Sequence, residues 1–199
     1  VDLSDHPVKL AQEHLDALKA IVGEEGFSVS DYDRLAVAYG FTAYDILRLR
    51  HKIIDSVPDV VLYPDTTEQV EKIVAYSTEH DIPLYVYGGG SSVTRGVEPV
   101  KGGISLDMRR RFNKVLSFNE IDQTITVQAG MSGPDLEKTL QNAPELFGAK
   151  RQYTCGHFPQ SFEYSSVGGW TVTRGAGQNS TYYGCIADIV LSQKYATSG

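Results

Sequence analysis

The stretch YVYGGGSSVTRG at residues 85–96 places three glycines and two serines directly after a short apolar run. Glycine adopts positive φ without steric strain and lets the backbone approach a ligand closely. Successive N–H groups in such a turn form a concave site for an anion, and the hydroxyls of Ser91 and Ser92 add two donors. A tight turn without a ligand fits the pattern equally well, so GGGSS alone leaves both interpretations open.

Two common phosphate-binding loops do not match this stretch. A P-loop requires Gly-Lys-Ser/Thr after four spacer residues, and no lysine follows the glycines here. The Rossmann fingerprint requires a helix immediately after its glycines. Gly96, Pro99, Gly102 and Gly103 follow instead, and they disfavour a helix.

The segments around the loop predict a βαβ unit. DVVLYP at 59–64 and LYVY at 84–87 are short apolar runs typical of strands. A helical stripe separates them, at Val70, Ile73, Val74 and Ser77. We expect this helix to begin at a capping box of Asp65 and Glu68, and the strands to be parallel across a right-handed crossover. The glycine loop then follows the carboxyl end of a strand, where ligands collect in open α/β sheets.

The first 57 residues predict a helical segment that packs on the rest of the chain. Ser30 with Asp33, and Thr42 with Asp45, are typical of helix N-termini. Apolar residues recur at helical spacing, first at Leu10, Ala11, Leu15, Leu18, Ile21 and Val22, and later at Ile46, Leu47, Leu49, Ile53 and Ile54.

The residues after the loop predict mostly antiparallel structure. GISLDM is typical of a strand, KVLSFN and TITVQAG of a hairpin, and CIADIVLSQKY at 185–195 of a last strand. Ser132 is expected to cap a short helix. The chain is therefore predicted to be α+β, with an N-terminal helical segment at 1–57 and a second domain at 58–199. That domain is divided into a parallel βαβ subdomain at about 58–110 and a mixed or antiparallel subdomain at 111–199.

Charge and composition exclude several classes of protein. Lys and Arg number 18 and Asp and Glu 25, so the net charge is −7 and duplex nucleic acid is a poor partner. No apolar run approaches the roughly 20 residues that span a bilayer, and the two cysteines fit no zinc or redox motif. The histidines at 6, 14, 51 and 80 have no metal-binding spacing. We expect a soluble cytoplasmic protein without a metal.

A second glycine-rich stretch, CGHFPQSFEYSSVGGWTVTRGAGQNSTYYG, occupies residues 155–184. A glycine inside a helix costs about 1 kcal/mol relative to alanine. Several together indicate that the backbone passes close to something flat or bulky. Close packing of two protein segments would also explain Gly168 and Gly169.

Taken together, these motifs resemble the FAD-binding PCMH-type domain of the vanillyl-alcohol oxidase/p-cresol methylhydroxylase superfamily. Within it they are most similar to the alkyldihydroxyacetonephosphate (alkylglycerone-phosphate) synthase family and its bacterial FAD-linked oxidase relatives. The matching stretches run in family order over about residues 30–195. The pattern VGGW, TR, YG and DIV between 167 and 190 favours the synthase branch over the lactate and glycolate oxidases.

The resemblance implies FAD bound non-covalently by three segments of this chain. The first consists of Val86, Tyr87, Gly88, Gly89, Gly90, Ser91 and Ser92. The second consists of Gln160, Ser161, Phe162, Glu163, Tyr164, Ser165 and Ser166, and the third of Thr173, Arg174, Gly175 and Ala176. Gln160 departs from the family, which often has an acidic residue there. Arg174 is expected to contact the cofactor, with a surface position or a pair with Glu163 as alternatives.

The resemblance also implies an FAD-dependent enzyme that exchanges an acyl for an alkyl group on a phosphorylated small molecule. The alternatives are an oxidase or dehydrogenase of a small hydroxy acid or alcohol, and a non-catalytic module that binds a nucleotide or a partner. Catalytic residues and a fourth cofactor segment are expected beyond residue 199, so the domain is predicted to be truncated and inactive alone, with weak or no FAD binding. A homodimer and association with a membrane surface both stay open, although nothing in the sequence supports the membrane surface.

Several residues keep two interpretations. His157 either lies near the flavin or bonds loop backbone, and Trp170 either covers the flavin or packs in the interior. Arg109, Arg110 and Arg111 form either a solvated strand end or a site for a phosphorylated substrate or a membrane surface. Cys155 and Cys185 are expected to be small core residues.

Overall fold

A computed structural model of the chain describes residues 2–198, which form two compact units. The N-terminal unit contains the described residues up to Arg111 together with 195–198, and the C-terminal unit is Phe112–Lys194. No helix within 2–198 is long and apolar enough to cross a membrane.

The N-terminal unit contains four helices and four strands. Its helices are α1 (Gln12–Val22), α2 (Asp31–Ala36), α3 (Ala43–Arg50) and α4 (Thr67–Glu79). Its strands are β1 (Phe27–Ser28), β2 (Val60–Leu62), β3 (Leu84–Tyr87) and β4 (Ile104–Asp107), and a 3₁₀ turn spans Glu24–Gly26.

The four strands form one sheet in the order β1-β2-β4-β3. Strands β2 and β3 are parallel, as predicted, but each pairs with β4, which lies between them. The prediction that antiparallel structure begins directly after the glycine loop is therefore wrong for β4. All residues of β2 and β4 are buried, which is typical of inner strands of a parallel sheet.

Local side-chain chemistry sets where the helices begin. Ser30 accepts a hydrogen bond from the Asp33 N–H, and Thr42 and Asp45 form the predicted capping box of α3. The prediction for α4 is wrong by one residue, because its N-cap is Thr66, which accepts from the Gln69 N–H. The Gln69 side chain then accepts from the Asp65 N–H at 2.7 Å.

Helix α3 buries its charged side. Asp45 and Arg48 are buried, whereas Ile46, Leu47, Leu49 and Ile53 are exposed. The expectation that these apolar side chains pack inward is wrong within the described residues. Arg48 is buried because several carboxylates converge on it, which is the usual condition for burying a charge.

The C-terminal unit begins with an antiparallel hairpin of β5 (Val115–Asn119) and β6 (Thr124–Val127), as predicted. Five helices follow: α5 (Gly133–Gln141), α6 (Ala143–Phe147), α7 (Val167–Thr173), α8 (Ser180–Tyr183) and α9 (Ile186–Ile189). Ser132 caps α5, as predicted, by accepting from the Asp135 N–H. The buried core consists of Met131, Leu136, Leu140, Trp170 and Ile186.

The prediction of a strand at 185–195 is wrong, because α9 occupies its start and no strand follows in the described part of that segment. The Asp188 carboxylate accepts a hydrogen bond from the Cys185 N–H at 2.8 Å. This local bond supports a helical turn, and the short apolar run cannot by itself distinguish a helix from a strand.

Candidate functional site

The glycine loop follows β3 at the carboxyl edge of the parallel sheet. Gly90 has φ of +69°, a region that glycine adopts without strain. The ring of Tyr87 also packs against it, so that a Cβ at Gly90 would lie 2.1 Å from the Tyr87 hydroxyl oxygen. Both the backbone angle and the contact therefore require glycine at this position.

The loop presents a row of unused hydrogen-bond donors. Among the residues that the structure describes, the backbone N–H groups of 88–91 have no protein acceptor, although Gly89 and Gly90 are buried. A buried donor without a partner costs about 1–3 kcal/mol. Successive free N–H groups form a concave anion site, so these residues fit a phosphate-bearing ligand.

Ser92 closes the loop. Its carbonyl oxygen accepts from the Phe41 N–H at 2.9 Å, and its hydroxyl accepts from the N–H groups of Thr94 and Gly96 at 3.4 and 3.3 Å. The Ser92 side chain therefore stabilises the turn itself, while the N–H groups that precede it stay available.

The second and third predicted segments come together around α7 in the C-terminal unit. Segment 160–166 precedes the helix, and segment 173–176 begins at its last residue, Thr173. Ser166 caps α7 by accepting from the Gly169 N–H, and the hydroxyl of Ser165 accepts from Trp170 Nε1 at 2.6 Å. Both serines are buried, so their side chains organise the helix that separates the two segments.

The remaining predicted residues of these segments differ in exposure. Ser161, Phe162 and Gly175 are partly buried, whereas the side chains of Gln160, Glu163, Tyr164, Thr173, Arg174 and Ala176 are exposed. Thr173 donates its hydroxyl proton to the Gly169 carbonyl at 2.7 Å. Arg174 ends α7 in the left-handed conformation, and within residues 2–198 the structure shows no ion pair between it and Glu163.

His157 lies beside the third segment. Its ring meets Trp170 edge-on, with 4.9 Å between centroids, and a Cβ at Gly175 would lie 3.8 Å from its Nε2. The side chain is buried, and neither ring nitrogen has a hydrogen-bond partner among the described residues. It therefore does not bond the loop backbone. Burial lowers the pKa of His157 and favours the neutral imidazole.

Other candidates have structural roles in the described residues. Trp170 belongs to the core, and Gly168 packs against Ala129, whose carbonyl accepts its N–H at 2.8 Å. Arg110 lies over the Tyr63 ring and pairs with Asp33 at 3.8 Å. Arg111 pairs with Asp65 at 3.7 Å.

Cys155 and Cys185 are free thiols of intermediate exposure. Burial raises the pKa of Cys155, which disfavours the reactive thiolate. Residues 2–198 contain no group of three or more His, Cys, Asp or Glu side chains arranged for a metal.

Three charged residues near the loop were not predicted from the sequence. Asp107 pairs with Tyr87 across β4 and β3, and burial raises the pKa of both side chains. Glu98 and Arg48 are buried and in contact. The sequence does show an acidic residue, Glu98, inside a glycine-rich loop. Its partner Arg48 lies fifty positions earlier, and no local pattern connects the two residues.

Comparisons with known proteins identify the family of the chain. Residues 58–199 match the family model described as FAD binding domain. The chain is 32% identical over 194 residues to alkyldihydroxyacetonephosphate synthase of Dictyostelium discoideum, covering 96% of this chain and 30% of that protein. It is 27% identical over 193 residues to the mitochondrial cytochrome D-lactate dehydrogenase 1 of Saccharomyces cerevisiae, with 96% and 30% covered.

Solved structures show the same fold. One of alkyldihydroxyacetonephosphate synthase superposes with a TM-score of 0.86 at 32% identity, over 94% of this chain and 33% of the other. The 4-ethylphenol oxidase from Gulosibacter chungangensis superposes with a TM-score of 0.64 at 23% identity, over 86% and 31%, and supports the fold alone. The chain thus spans about a third of the length of the proteins it matches.

Proposed function

The chain belongs to the family of FAD-binding domains, and on that premise we propose that it holds FAD within an enzyme of the alkyldihydroxyacetonephosphate synthase type. The observation that carries the proposal is the row of unpartnered N–H groups at 88–91. The FAD pyrophosphate is a dianion, and a chain of net charge −7 needs such neutral donors to bind it.

Each segment has a separate part in this proposal. The N–H groups of 88–91 bind the pyrophosphate, and the Tyr87 ring packs against Gly90 and holds the turn in place. The exposed side chains of segments 160–166 and 173–176 contact the cofactor, with Arg174 supplying positive charge. FAD supplies the redox or adduct chemistry when bound, and the chain binds and orients it.

The reaction proposed is exchange of an acyl group for an alkyl group on a phosphorylated small molecule. The identities of about one third to relatives named as this synthase support it. The second candidate is oxidation of a small hydroxy acid, which the D-lactate dehydrogenase relative supports over the same share of the chain.

A homodimer and a cytoplasmic location stay predictions. Two cysteines in the free thiol form are compatible with a reducing compartment. Oligomeric state is decided by light scattering on the full-length gene product.

The test is the absorbance spectrum of that purified gene product. We expect a flavin spectrum, and release of intact FAD into the supernatant on acid precipitation, since the binding is non-covalent. Turnover is then compared between an acyl dihydroxyacetone phosphate with a long-chain alcohol, and D-lactate with an artificial electron acceptor. A protein that purifies colourless and does not take up added FAD would support the non-catalytic module instead.

A further inference from the structure

A buried arginine of α3 forms ion pairs with three carboxylates. Arg48 is 2% exposed and contacts Glu98 at 3.1 Å, Asp45 at 3.6 Å and Asp55. Its guanidinium also stacks on the Tyr39 ring, 4.7 Å from the centroid. A charge buried this deeply requires such partners, so Arg48 is tied to the segments that carry them.

One of these partners belongs to the segment that follows the glycines. Glu98 is 4% exposed and accepts two hydrogen bonds from Arg95, at 2.6 and 2.9 Å. It also accepts one from the Ser56 hydroxyl at 3.3 Å. Arg95 and Arg48 lower the pKa of Glu98, and the carboxylate stays ionised at neutral pH.

The turn between α2 and α3 holds the same segment at its other end. The Phe41 N–H donates to the Ser92 carbonyl at 2.9 Å. Gly40 lies so close to Ser92 that a Cβ there would be 2.2 Å from that oxygen. Tyr39, which carries the Arg48 guanidinium on its ring, accepts from the Asp55 N–H at 2.9 Å.

We propose that Arg48 is a positioning residue for the glycine loop, acting through Glu98 to hold the free N–H groups of 88–91 in their binding geometry. The inference takes its ligand, FAD, from the proposed function. The claim that Arg48 holds the glycine loop in place does not depend on that ligand. Ordering a loop before binding removes an entropic cost from the binding step. In Arg48→Lys the ammonium keeps the charge but cannot make the guanidinium contacts with Glu98, Asp55 and the Tyr39 ring at the same time. The buried Glu98 carboxylate would then lose a hydrogen-bond donor, and the loop would open to hydrate it.

The chain offers a matched control in Arg34. It is also a buried arginine of the N-terminal unit, 3% exposed, and donates to the carbonyls of Pro58 and His6 at 2.7 and 2.8 Å. It does not contact residues 88–98 among its described partners. Arg34→Lys therefore replaces a buried guanidinium in the same unit and leaves the contact between Arg48 and Glu98 intact.

The experiment uses the full-length gene product stripped of FAD. Arg48→Lys and Arg34→Lys are compared for the free energy of unfolding and for the FAD Kd from quenching of flavin fluorescence. We expect Arg48→Lys to raise the Kd about tenfold, whereas Arg34→Lys, at a similar loss of stability, should change it less than about twofold. Equal Kd values in the two variants would overturn the inference.

Hydrogen exchange of the FAD-free protein separates this inference from the proposed function. Amides of 88–98 should exchange faster in Arg48→Lys than in wild type or Arg34→Lys. If wild type binds no FAD, the proposed function fails and this difference alone decides the inference. Unchanged exchange in folded Arg48→Lys would refute the positioning role. Should Arg48→Lys not fold, Arg95→Gln tests the same carboxylate from its exposed partner, since Arg95 is 48% exposed, and unchanged exchange there would show that Glu98 does not hold the loop.

Discussion

Among single residues, Gly90 is important because it has no side chain, and His157 because its buried ring has no hydrogen-bond partner among the described residues. Gly90 has no Cβ, which lets the chain turn at φ of +69° beneath the Tyr87 ring. His157 lacks hydrogen-bond partners among the described residues although it is buried. Native structures rarely leave buried polar groups unused, so His157 is the side chain of the C-terminal unit that a bound ligand would best satisfy.

Replacing Gly90 should impair both folding and FAD binding. Gly90→Ala forces a Cβ against the Tyr87 hydroxyl and strains the backbone, so we expect a loss of about 1–3 kcal/mol in the free energy of unfolding. Gly96→Ala is the control, because its Cβ would meet nothing closer than 3.9 Å. Denaturant unfolding and FAD titration measure both effects, and similar values for the two variants would contradict this account of Gly90.

His157 should make stability depend on pH. Because burial lowers its folded pKa below the ordinary 6.5, the unfolded chain binds its proton first as pH falls, and stability declines below about pH 6.5. Wild type should therefore lose more stability than His157→Gln between about pH 7.5 and 5.5. Unfolding at both pH values checks this, and parallel losses would show that His157 does not titrate there.

At the scale of elements, α3 and α7 each depart from the usual amphipathic helix. Helix α3 buries Asp45 and Arg48 and exposes apolar side chains, because its inner side forms ion pairs. The first turn of helix α7 contains two glycines that differ in their surroundings. A Cβ at Gly168 would lie 2.7 Å from that of Ala129, whereas one at Gly169 would lie 3.3 Å from the Ser166 hydroxyl.

The two glycines of α7 should therefore respond differently to alanine. Gly168→Ala should destabilise the protein by about 1–3 kcal/mol, since the helix must move away from Ala129. Gly169→Ala should change stability by less than about 1 kcal/mol, because the gain in helix propensity offsets a small shift of Ser166. Thermal unfolding of both variants decides it, and the opposite order would mean that Gly169 is the packing contact.

At the scale of the whole molecule, the predicted cofactor segments are divided between the two units. The glycine loop belongs to the N-terminal unit, and segments 160–166 and 173–176 to the C-terminal unit. That one FAD contacts all three stays a prediction. The net charge of −7 is a property of the whole chain, and it repels an anionic cofactor that approaches from solution.

This charge should slow the association of FAD with the 199-residue chain at low ionic strength. Raising the salt concentration from about 20 to 150 mM screens the repulsion, and we expect the association rate to rise about twofold. Stopped-flow quenching of flavin fluorescence measures the rate, with an uncharged osmolyte as the control for viscosity. A rate that falls with salt would mean that local arginines dominate the field at the site.

Features that depend on neighbours along the chain can be predicted from the amino-acid sequence alone. The glycine loop after a strand, the caps at Ser30, Thr42 and Ser132, and the hairpin at 115–127 all follow from local steric and hydrogen-bonding rules. The family followed from motifs whose order is itself a property of the sequence. These elements are enough to predict the fold class and the cofactor.

The folded structure is needed for the remaining features. Strand β4 lies between β2 and β3, residues 186–189 form a helix, and Arg48 pairs with Glu98 across fifty residues. The position of β4 and the Arg48–Glu98 pair depend on burial and on partners distant in sequence, whereas the helix at 186–189 is supported by the local Cys185–Asp188 hydrogen bond. A short apolar run fits a strand or a helix equally well, and an arginine becomes a core residue only where the fold brings carboxylates to it.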